Sequence, residues 1–423
     1  MFTPHPQRVA LHNEVHARPY ERMTAPAMLT HLALLTTTAA ASRAHLRALL
    51  SAHGLPAPPE GVNHLSIDLD GLHLRWEAHT EFQTYTFWHT LQESATTFEP
   101  AVPREPPAAW LDAMPGEWIV GLRMLVAQCD AAAGEALART LLDENSLVGA
   151  AIADGQAQVY TDFRLHGDGH ARQLLCVGVL SAQRLGRTVQ RLLEIETYRM
   201  TALLGLPVAR EVAATLGDAE RDLAQVAAEI RSAARDEEPA LLRQLTQLAG
   251  RVESLYARTH ARFSASSAYF ELVQWRLAEL REVRHAGLQT LAEFLDRRLA
   301  PAMQTCVWAA RRQQALSERI SRTSNLLRTR VEIEQQRSSQ ALLDAMNRRQ
   351  RAQLLLQSAV EGLSVAAVTY YGAGLVGYLA KGAKAAGFGV APDVAVASSI
   401  PFIALAVWWG IRRLHARAGL HLD

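Results

Sequence analysis

The sequence predicts an α+β domain, followed by a bundle of long helices and two transmembrane helices at the C-terminus. Three patterns lead to this fold class: short apolar runs between turn residues, then apolar residues at three- and four-residue steps, then two uncharged segments. We expect an N-terminal arm, an α+β domain, a helical bundle, a stalk helix, a transmembrane hairpin and a cytoplasmic tail. Their boundaries are 1–27, 28–180, 181–301, 302–361, 362–411 and 412–423.

The α+β domain contains the order strand, helix, hairpin twice, which predicts two possible β-α-β-β units. Asp70-Gly71 and Asp154-Gly155 mark the hairpin turns, because Asp-Gly supplies the positive φ angles that a tight turn requires. A proline-rich linker at 99–107 joins the units, and chance similarity between them is the alternative. The predicted strands are 28–37, 63–69, 72–88, 118–127, 146–153, 158–165 and 172–179, and the predicted helices are 40–52 and 131–142.

Beyond Ser181 the pattern is helical, with breaks expected at Gly205 and Pro207, near Glu238-Pro239 and at Pro301. No proline or glycine occurs from Ala302 to Glu361, so this helix would be about 90 Å long. It must project as a stalk or pack in an oligomer. Glu334 and Ser338 interrupt its apolar stripe and predict a non-uniform coiled-coil seam. The stripe consists of Leu316, Ile320, Leu327, Val331, Leu342 and Met346.

Two C-terminal segments have the length and composition of membrane spans. Residues 362–380 carry no charge and would extend about 28 Å, close to the thickness of a hydrocarbon core. Residues 394–411 are also uncharged and contain Trp408-Trp409 at the expected interfacial height. A buried helical hairpin in a soluble protein is the alternative.

Arginine clusters flank both predicted spans, whereas the loop between them has only Lys381 and Lys384 as basic residues. The positive-inside rule therefore places both termini in the cytoplasm and the hairpin in the membrane. The lipid bilayer is then a partner of the protein. We also expect the protein to form a homo-oligomer. The arginines concerned are Arg348, Arg349, Arg351, Arg412, Arg413 and Arg417.

Composition argues against several classes of protein. The formal net charge is +1 and 20% of residues are charged, so no global basic field indicates nucleic-acid binding. Cys129, Cys176 and Cys306 lack the paired spacing of a zinc site, a redox dithiol or a disulfide framework, which fits a reducing compartment. Charged residues interrupt the N-terminus, so a secretory signal is not expected.

Alternating polar residues in the N-terminal arm form the first candidate site. His12, Glu14, His16 and Arg18 would share one face of an extended segment. Such a face can bind a metal or an anion, but parallel side chains seldom converge on one ion, so metal binding stays unknown. The alternative is an arm that docks onto the helices or onto a neighbouring subunit.

Candidate residues of the predicted hairpin are Glu361, Thr369, Ala373, Gly374 and Gly377. In an oligomer, Glu361 can form a carboxylate ring at a pore mouth, or it can lie in interfacial water. The small residues, with Ala366, allow close packing either on the second span or on another copy.

The long helix carries an excess of arginine between Arg311 and Arg351. Its membrane-proximal end would be attracted to anionic headgroups, whereas the more distant arginines form a solvated face.

No phosphate loop, nucleophile elbow, dinucleotide fingerprint or zinc-protease helix occurs in the sequence, so an enzyme is not expected and any cofactor is unknown. The pair His166 and His170 flanks a Gly-Asp-Gly turn and is interpreted as a hairpin tip.

Motifs at both ends resemble a bacterial family of uncharacterised membrane-anchored proteins. They are Leu-His-Asn-Glu-Val-His-Ala-Arg-Pro at 11–19, Thr-Ala-Pro at 24–26, His-Leu-Ala-Leu at 31–34, the run 326–334 and the run 357–365. The resemblance covers nearly the whole chain, and it implies membrane anchoring without implying an activity.

The layout also resembles that of CorA-type divalent-cation channels, in which long helices of five subunits line a pore. The Gly-Met-Asn signature of those channels is absent, since the chain reads Tyr-Tyr-Gly-Ala-Gly at 370–374, and the loop lacks an acidic collar. We therefore expect a membrane-anchored oligomer of unknown molecular role, with a CorA-like ion transporter or sensor as the leading hypothesis. A non-transporting scaffold is the alternative.

Overall fold

The computed structural model of the chain describes residues 3–14, 19–35, 38–59, 61–93, 95–98, 106–387, 389 and 391–418. The chain divides into two compact units, which are described separately. The first consists of Met1–Ala233 and Ala240–Ser324. The second consists of Ala234–Pro239 and Asn325–Asp423.

The described strands of the first unit form one mixed sheet in the order β2-β3-β4-β1-β5-β8-β7-β6-β9. Strand β1 pairs antiparallel with both neighbours, whereas β5 and β8 are parallel. The strands are β1 (Ala27–Leu35), β2 (His64–Leu69), β3 (Leu72–Ala78), β4 (Phe82–Thr90), β5 (Glu117–Gln128), β6 (Val148–Ile152), β7 (Ala157–Thr161), β8 (Ala171–Val177) and β9 (Val283–Arg284).

The two halves of the sheet do not reproduce the predicted β-α-β-β unit. Three strands follow each helix, α2 (Ala39–Ala52) in the first half and α4 (Ala131–Leu141) in the second. The predicted single strand 72–88 is divided into β3 and β4, because the chain turns where the His79 N–H donates to the Phe82 carbonyl at 2.8 Å. The fourth strand of each half pairs with the first, but antiparallel in one half and parallel in the other.

Both predicted Asp-Gly turns are confirmed. Asp70 and Gly71 have φ angles of 55° and 89° between β2 and β3, and Asp154 and Gly155 have φ angles of 61° and 81° between β6 and β7. These left-handed values match the right-handed twist of the flanking strands.

The other helices are α1 (Arg8–Glu14), α3 (Ala108–Asp112), α5 (Ala182–Leu203), α6 (Gly205–Ser232), α7 (Glu238–Leu280), α8 (Leu291–Ala385) and α9 (Pro392–Ala418). The predicted breaks near Gly205 and Glu238 are confirmed, but the break at Pro301 is wrong. Pro301 lies inside α8 on its exposed side. A carbonyl freed there can bind water, while buried Leu299 and Met303 hold the helix in place on either side.

Alternate residues of the strands are buried in cores on opposite faces of the sheet. Leu29 and Met124 belong to the core that also contains residues of α5, α7 and α8. Leu32 and Trp76 belong to the core that contains Leu46 and Leu50 of α2. A third core joins Leu125 and Leu174 to Ala138 of α4. The sheet is therefore covered by long helices on one face and by α2 and α4 on the other.

The second unit contains most of α8 and the whole of α9. Arg235 pairs with Glu334 at 2.9 Å, and Arg330 pairs with Glu238 at 2.7 Å. From residue 335 to residue 360, every side chain of α8 is exposed. The apolar stripe predicted on this helix is thus divided: Leu316, Ile320 and Leu327 are buried, whereas Leu342 and Met346 are 65% and 59% exposed.

Two C-terminal segments of the second unit are long and apolar enough to cross a membrane: one lies within α8, and the other is the part of α9 from Pro392 to Ile411. They pack against each other through small residues. A Cβ added at Gly372 would lie 3.1 Å from Ile403, and one added at Gly377 would lie 3.0 Å from Val396. Glycine at these positions permits the close approach of the two helices.

Candidate functional site

The first unit contains a cavity of about 340 Å³, which we call the α5 cleft. One wall is the face of β1, β3 and β4, and the other is α5. The segment before β1 and Arg276 of α7 complete the lining. Charged, hydroxyl and aromatic side chains line this cavity. It is therefore the candidate ligand-binding site of the unit.

Strand register brings the polar wall of the cleft together. Thr86 of β4 lies opposite His31 of β1 on one side and opposite Arg75 of β3 on the other. Glu77 lies opposite Thr84 in the same way. Since residues two apart share a face of a strand, Arg75 with Glu77 and Thr84 with Thr86 point to the same side of the sheet.

His31 lies in the wall as a neutral imidazole. The Thr197 hydroxyl donates to the Leu193 carbonyl at 2.9 Å, so it accepts from His31 Nε2, also at 2.9 Å. The Thr86 hydroxyl then donates to Nδ1 at 2.8 Å. Burial lowers the pKa of His31 from 6.5 to about 4. Both nitrogens are occupied, so this histidine connects the sheet to α5 and is not a free base.

Acid is expected to destabilise the first unit through His31. The folded state holds the imidazole neutral while the unfolded chain binds a proton below pH 6.5, so stability falls as pH decreases towards 4. Over pH 6.5 to 5 the loss should be about 2 kcal/mol. The charge of Glu77 raises the pKa of His31, whereas the charges of His79 and Arg75 lower it. Urea unfolding of wild type and His31→Gln at each pH measures this loss, and equal pH slopes would contradict it.

Arg75 is the buried cation of the sheet wall. Its Nη1 donates to the Pro19 carbonyl at 2.8 Å and its Nη2 donates to Glu77 at 2.9 Å, while Glu21 lies 3.6 Å away. Burial raises the pKa of Glu77, but the charge and hydrogen bond of Arg75 outweigh burial and leave that pKa below its ordinary value. Glu77 is therefore ionised at neutral pH.

Helix α5 supplies a second ion pair. Glu194 pairs with Arg276 of α7 and accepts from the Gln190 amide at 2.8 Å. Burial lowers the pKa of Arg276, but the charges and hydrogen bonds of Glu194 and Glu279 outweigh burial and raise it. Tyr198, one helical turn from Glu194, stacks on Tyr269 at a centroid distance of 5.9 Å. The helix wall therefore contains charged, polar and aromatic groups.

The segment before β1 covers one side of the cleft and is held by α5. The Met23 N–H donates to the Ala182 carbonyl at 3.1 Å, and the Arg187 guanidinium lies 5.2 Å from the Tyr20 ring centre. Gly186 lies directly beneath this segment, since a Cβ there would be 1.7 Å from the Glu21 carbonyl oxygen. Only glycine allows the backbone of the segment to approach α5 this closely.

The extended geometry predicted for the N-terminal arm is wrong for its described residues. His12 and Glu14 belong to helix α1 and not to an extended segment. His16 and Arg18 lie outside the described residues. Within the described part of the chain, no three His, Cys, Asp or Glu residues form a group that could hold a metal ion.

The candidate residues of the C-terminal helices differ in whether they pack against α9. Thr369 and Ala373 are buried, and Gly377 approaches Val396 of α9. At Gly374, an added Cβ would meet no described atom within 4 Å. Glu361 is half-buried on α8. Packing on α9 thus uses Thr369, Ala373 and Gly377, and leaves Gly374 on the outer side.

Two cysteines that the sequence separates are brought together by β5 and β8. A hydrogen bond from the Cys176 thiol lowers the pKa of Cys129, and the same contact raises the pKa of Cys176. Both remain thiols. The other noted pair, His166 and His170, lies at a turn as predicted, because the His166 N–H donates to the His170 carbonyl at 3.0 Å.

The sequence patterns did not identify the α5 cleft, although one signal was present. Arg75, Glu77, Thr84 and Thr86 are polar residues at alternate positions of two strands that also contain apolar and aromatic residues. Polar residues repeated on one strand face, with apolar residues on the other, indicate either solvent or a polar cavity. Because α5 lies over that face, these polar residues line a cavity and do not form a solvent-exposed surface.

Comparison with known proteins identifies a family and no activity. A family model described as a protein of unknown function, DUF3422, matches residues 3–418. No curated protein matches the chain.

Proposed function

As this chain belongs to the DUF3422 family of proteins of unknown function, we propose from its geometry that it is a membrane-anchored sensor of a small molecule. The observation that carries the proposal is the continuity of α8. This helix of 95 residues begins in the core shared with α5 and ends in one of the two apolar C-terminal segments. Ligand binding in the α5 cleft would then be coupled to a helix that reaches the bilayer.

The proposed anchor is the pair of apolar segments in α8 and α9, in a bacterial inner membrane with both termini cytoplasmic. Arg413 supports this placement, because its guanidinium lies 5.0 Å from the ring centre of Trp409, an arrangement suited to the interface. A reporter inserted at Gly387 should lie opposite to reporters at both termini. A cytoplasmic Gly387 reporter would refute the hairpin, and the terminal fusions serve as matched controls.

We propose binding and not catalysis in the α5 cleft. Both nitrogens of His31 are used, and Glu77 and Glu194 are each paired with an arginine. A general base requires a free basic atom within reach of the reacting group.

The ligand-binding role predicts a thermal shift of the full chain in detergent. Probes of different chemistry are inorganic phosphate, acetate, spermidine, glucose and a mixture of free amino acids. At least one class should raise the midpoint of unfolding, because a ligand that binds only the folded state stabilises it. If no probe shifts the midpoint, the sensor proposal fails and a non-transporting scaffold becomes the preferred role.

We propose that the exposed part of α8 packs on further copies of the chain. Between residues 335 and 360 the helix lacks any buried side chain, while Leu342, Met346 and Leu355 are more than half exposed. In proteins, helices gain most of their stability from tertiary packing, so packing by a second copy would stabilise this part of α8. Light scattering of the full chain in detergent measures its oligomeric state. A monomer would refute both the proposed oligomer and any channel.

Transport in the manner of CorA is the second candidate. It is favoured by Glu361, which lies on α8 one residue before the uncharged run. In an oligomer, copies of this carboxylate would repel one another and favour a bound cation. Glu361→Gln should then reduce cation flux into vesicles, whereas Glu332→Gln, also on α8, should not. Absence of flux from an intact oligomer, tested with divalent and monovalent cations, would exclude transport.

A further inference from the structure

Two buried hydrogen-bonding atoms at the α5 cleft have no partner among the residues that the structure describes. The first is Nε of Arg75, a residue that is 5% exposed and uses its other two nitrogens on Pro19 and Glu77. A buried guanidinium donor without an acceptor is strongly unfavourable. An acceptor on a ligand, such as a carboxylate, would satisfy it.

The second atom is Oε1 of Gln190 on α5. The amide nitrogen of this side chain donates to Glu194, so the amide orientation is defined by that bond and leaves Oε1 as an acceptor. Oε1 is buried and has no donor within the described part of the chain. Gln190 and Arg75 both line the cleft, which therefore has one unmatched donor and one unmatched acceptor.

The charges of the lining favour a positive group beside that acceptor. Glu21, Glu77 and Glu194 line the cleft together with two guanidinium groups, those of Arg75 and Arg276. His31 adds no charge at neutral pH, because burial lowers its pKa to about 4. One carboxylate is thus in excess among the described lining residues. Because Glu194 accepts from the Gln190 amide, an ammonium group that donates to Gln190 Oε1 would also lie near the Glu194 carboxylate.

Several of the other lining residues are apolar or aromatic. Phe82, Trp88 and Leu29 lie on the sheet wall, and Val189 and Leu193 lie on α5. A cavity of about 340 Å³ is within the range of pockets for small molecules. These walls would accommodate a hydrocarbon or aromatic side chain of the ligand and exclude water from its charged end.

We propose that the α5 cleft binds a small zwitterion, namely a free α-amino acid with an apolar side chain. Its carboxylate accepts from Arg75 Nε, and its ammonium donates to Gln190 Oε1 near the Glu194 carboxylate. The apolar side chain lies among the aromatic residues of the sheet wall. This inference rests on the ligand-binding role proposed above and specifies the chemistry of that site.

Calorimetry on the full chain in detergent, with leucine and phenylalanine as probes, tests the proposal. Binding should weaken at least tenfold for isoamylamine, which lacks the carboxylate, and for isocaproate, which lacks the ammonium. Gln190→Met should weaken leucine binding at least tenfold, because it removes the acceptor at nearly constant volume. Gln225→Met is the matched control, since Gln225 donates to Glu229 at 2.9 Å as Gln190 donates to Glu194 but lies on α6, outside the cleft.

The outcomes separate this inference from the broader role. Binding of leucine that is lost in Gln190→Met and retained in Gln225→Met would support both. Binding of only acetate, phosphate or amines would overturn the zwitterion and leave the sensor in place. If neither the amino acids nor any other probe binds, both proposals are overturned. Leucine binding that Gln190→Met leaves unchanged would also overturn the assignment to this cleft.

Discussion

Replacing Arg75 by methionine is expected to lower the free energy of unfolding by about 4 kcal/mol, the range measured when one partner of a buried ion pair is removed. Methionine fills much of the volume but leaves the Glu77 carboxylate buried without its cation. The Pro19 carbonyl also loses its donor. Urea unfolding of the full chain in detergent, followed by tryptophan fluorescence, measures the loss.

The pH dependence of this loss and a second variant test whether the unpaired charge of Glu77 causes it. Without Arg75, burial is the largest remaining influence on Glu77 and raises its pKa, so the loss should be largest at neutral pH and smaller below pH 4.5. Adding Glu77→Gln to the methionine variant should recover much of the stability, because no buried charge remains unpaired. A double variant as unstable as Arg75→Met would show that packing, and not the charge on Glu77, accounts for the effect.

Gly186→Ala is expected to detach the segment before β1 from α5 and to lower the free energy of unfolding by about 3 kcal/mol. The added Cβ would lie 1.7 Å from a backbone oxygen of Glu21, which cannot rotate away as a side chain can. The hydrogen bond from Met23 to Ala182 would be lost with the displacement. Tryptic cleavage after Arg22 should become at least tenfold faster.

Gly250→Ala is the matched control for this substitution. Gly250 lies in α7, is exposed and has no described atom within 4 Å of an added Cβ. Alanine should therefore stabilise that helix by about 0.5 to 1 kcal/mol. If Gly186→Ala were also stabilising and left the cleavage rate unchanged, the close approach of the segment to α5 would be refuted.

The sequence by itself determined the features that depend on local patterns. The two Asp-Gly turns, the helix breaks at Gly205 and Glu238, and the two long apolar C-terminal helices all follow from turn chemistry and hydrophobic periodicity within short windows. Pro301 shows the limit of such patterns. Proline usually ends a helix, but the burial of Leu299 and Met303 on one face maintains α8 through it.

Only the tertiary structure decided which polar residues form the α5 cleft. Arg75, Thr86 and His31 are adjacent because of strand register, and His31 reaches Thr197 because α5 lies across that face. Periodicity assigns each of these residues to a face, but it does not show whether solvent or another helix covers that face. The tautomer of His31 and the unmatched atoms of Arg75 and Gln190 depend on contacts between distant segments. Such contacts arise only when the whole unit packs, so short sequence windows do not contain them.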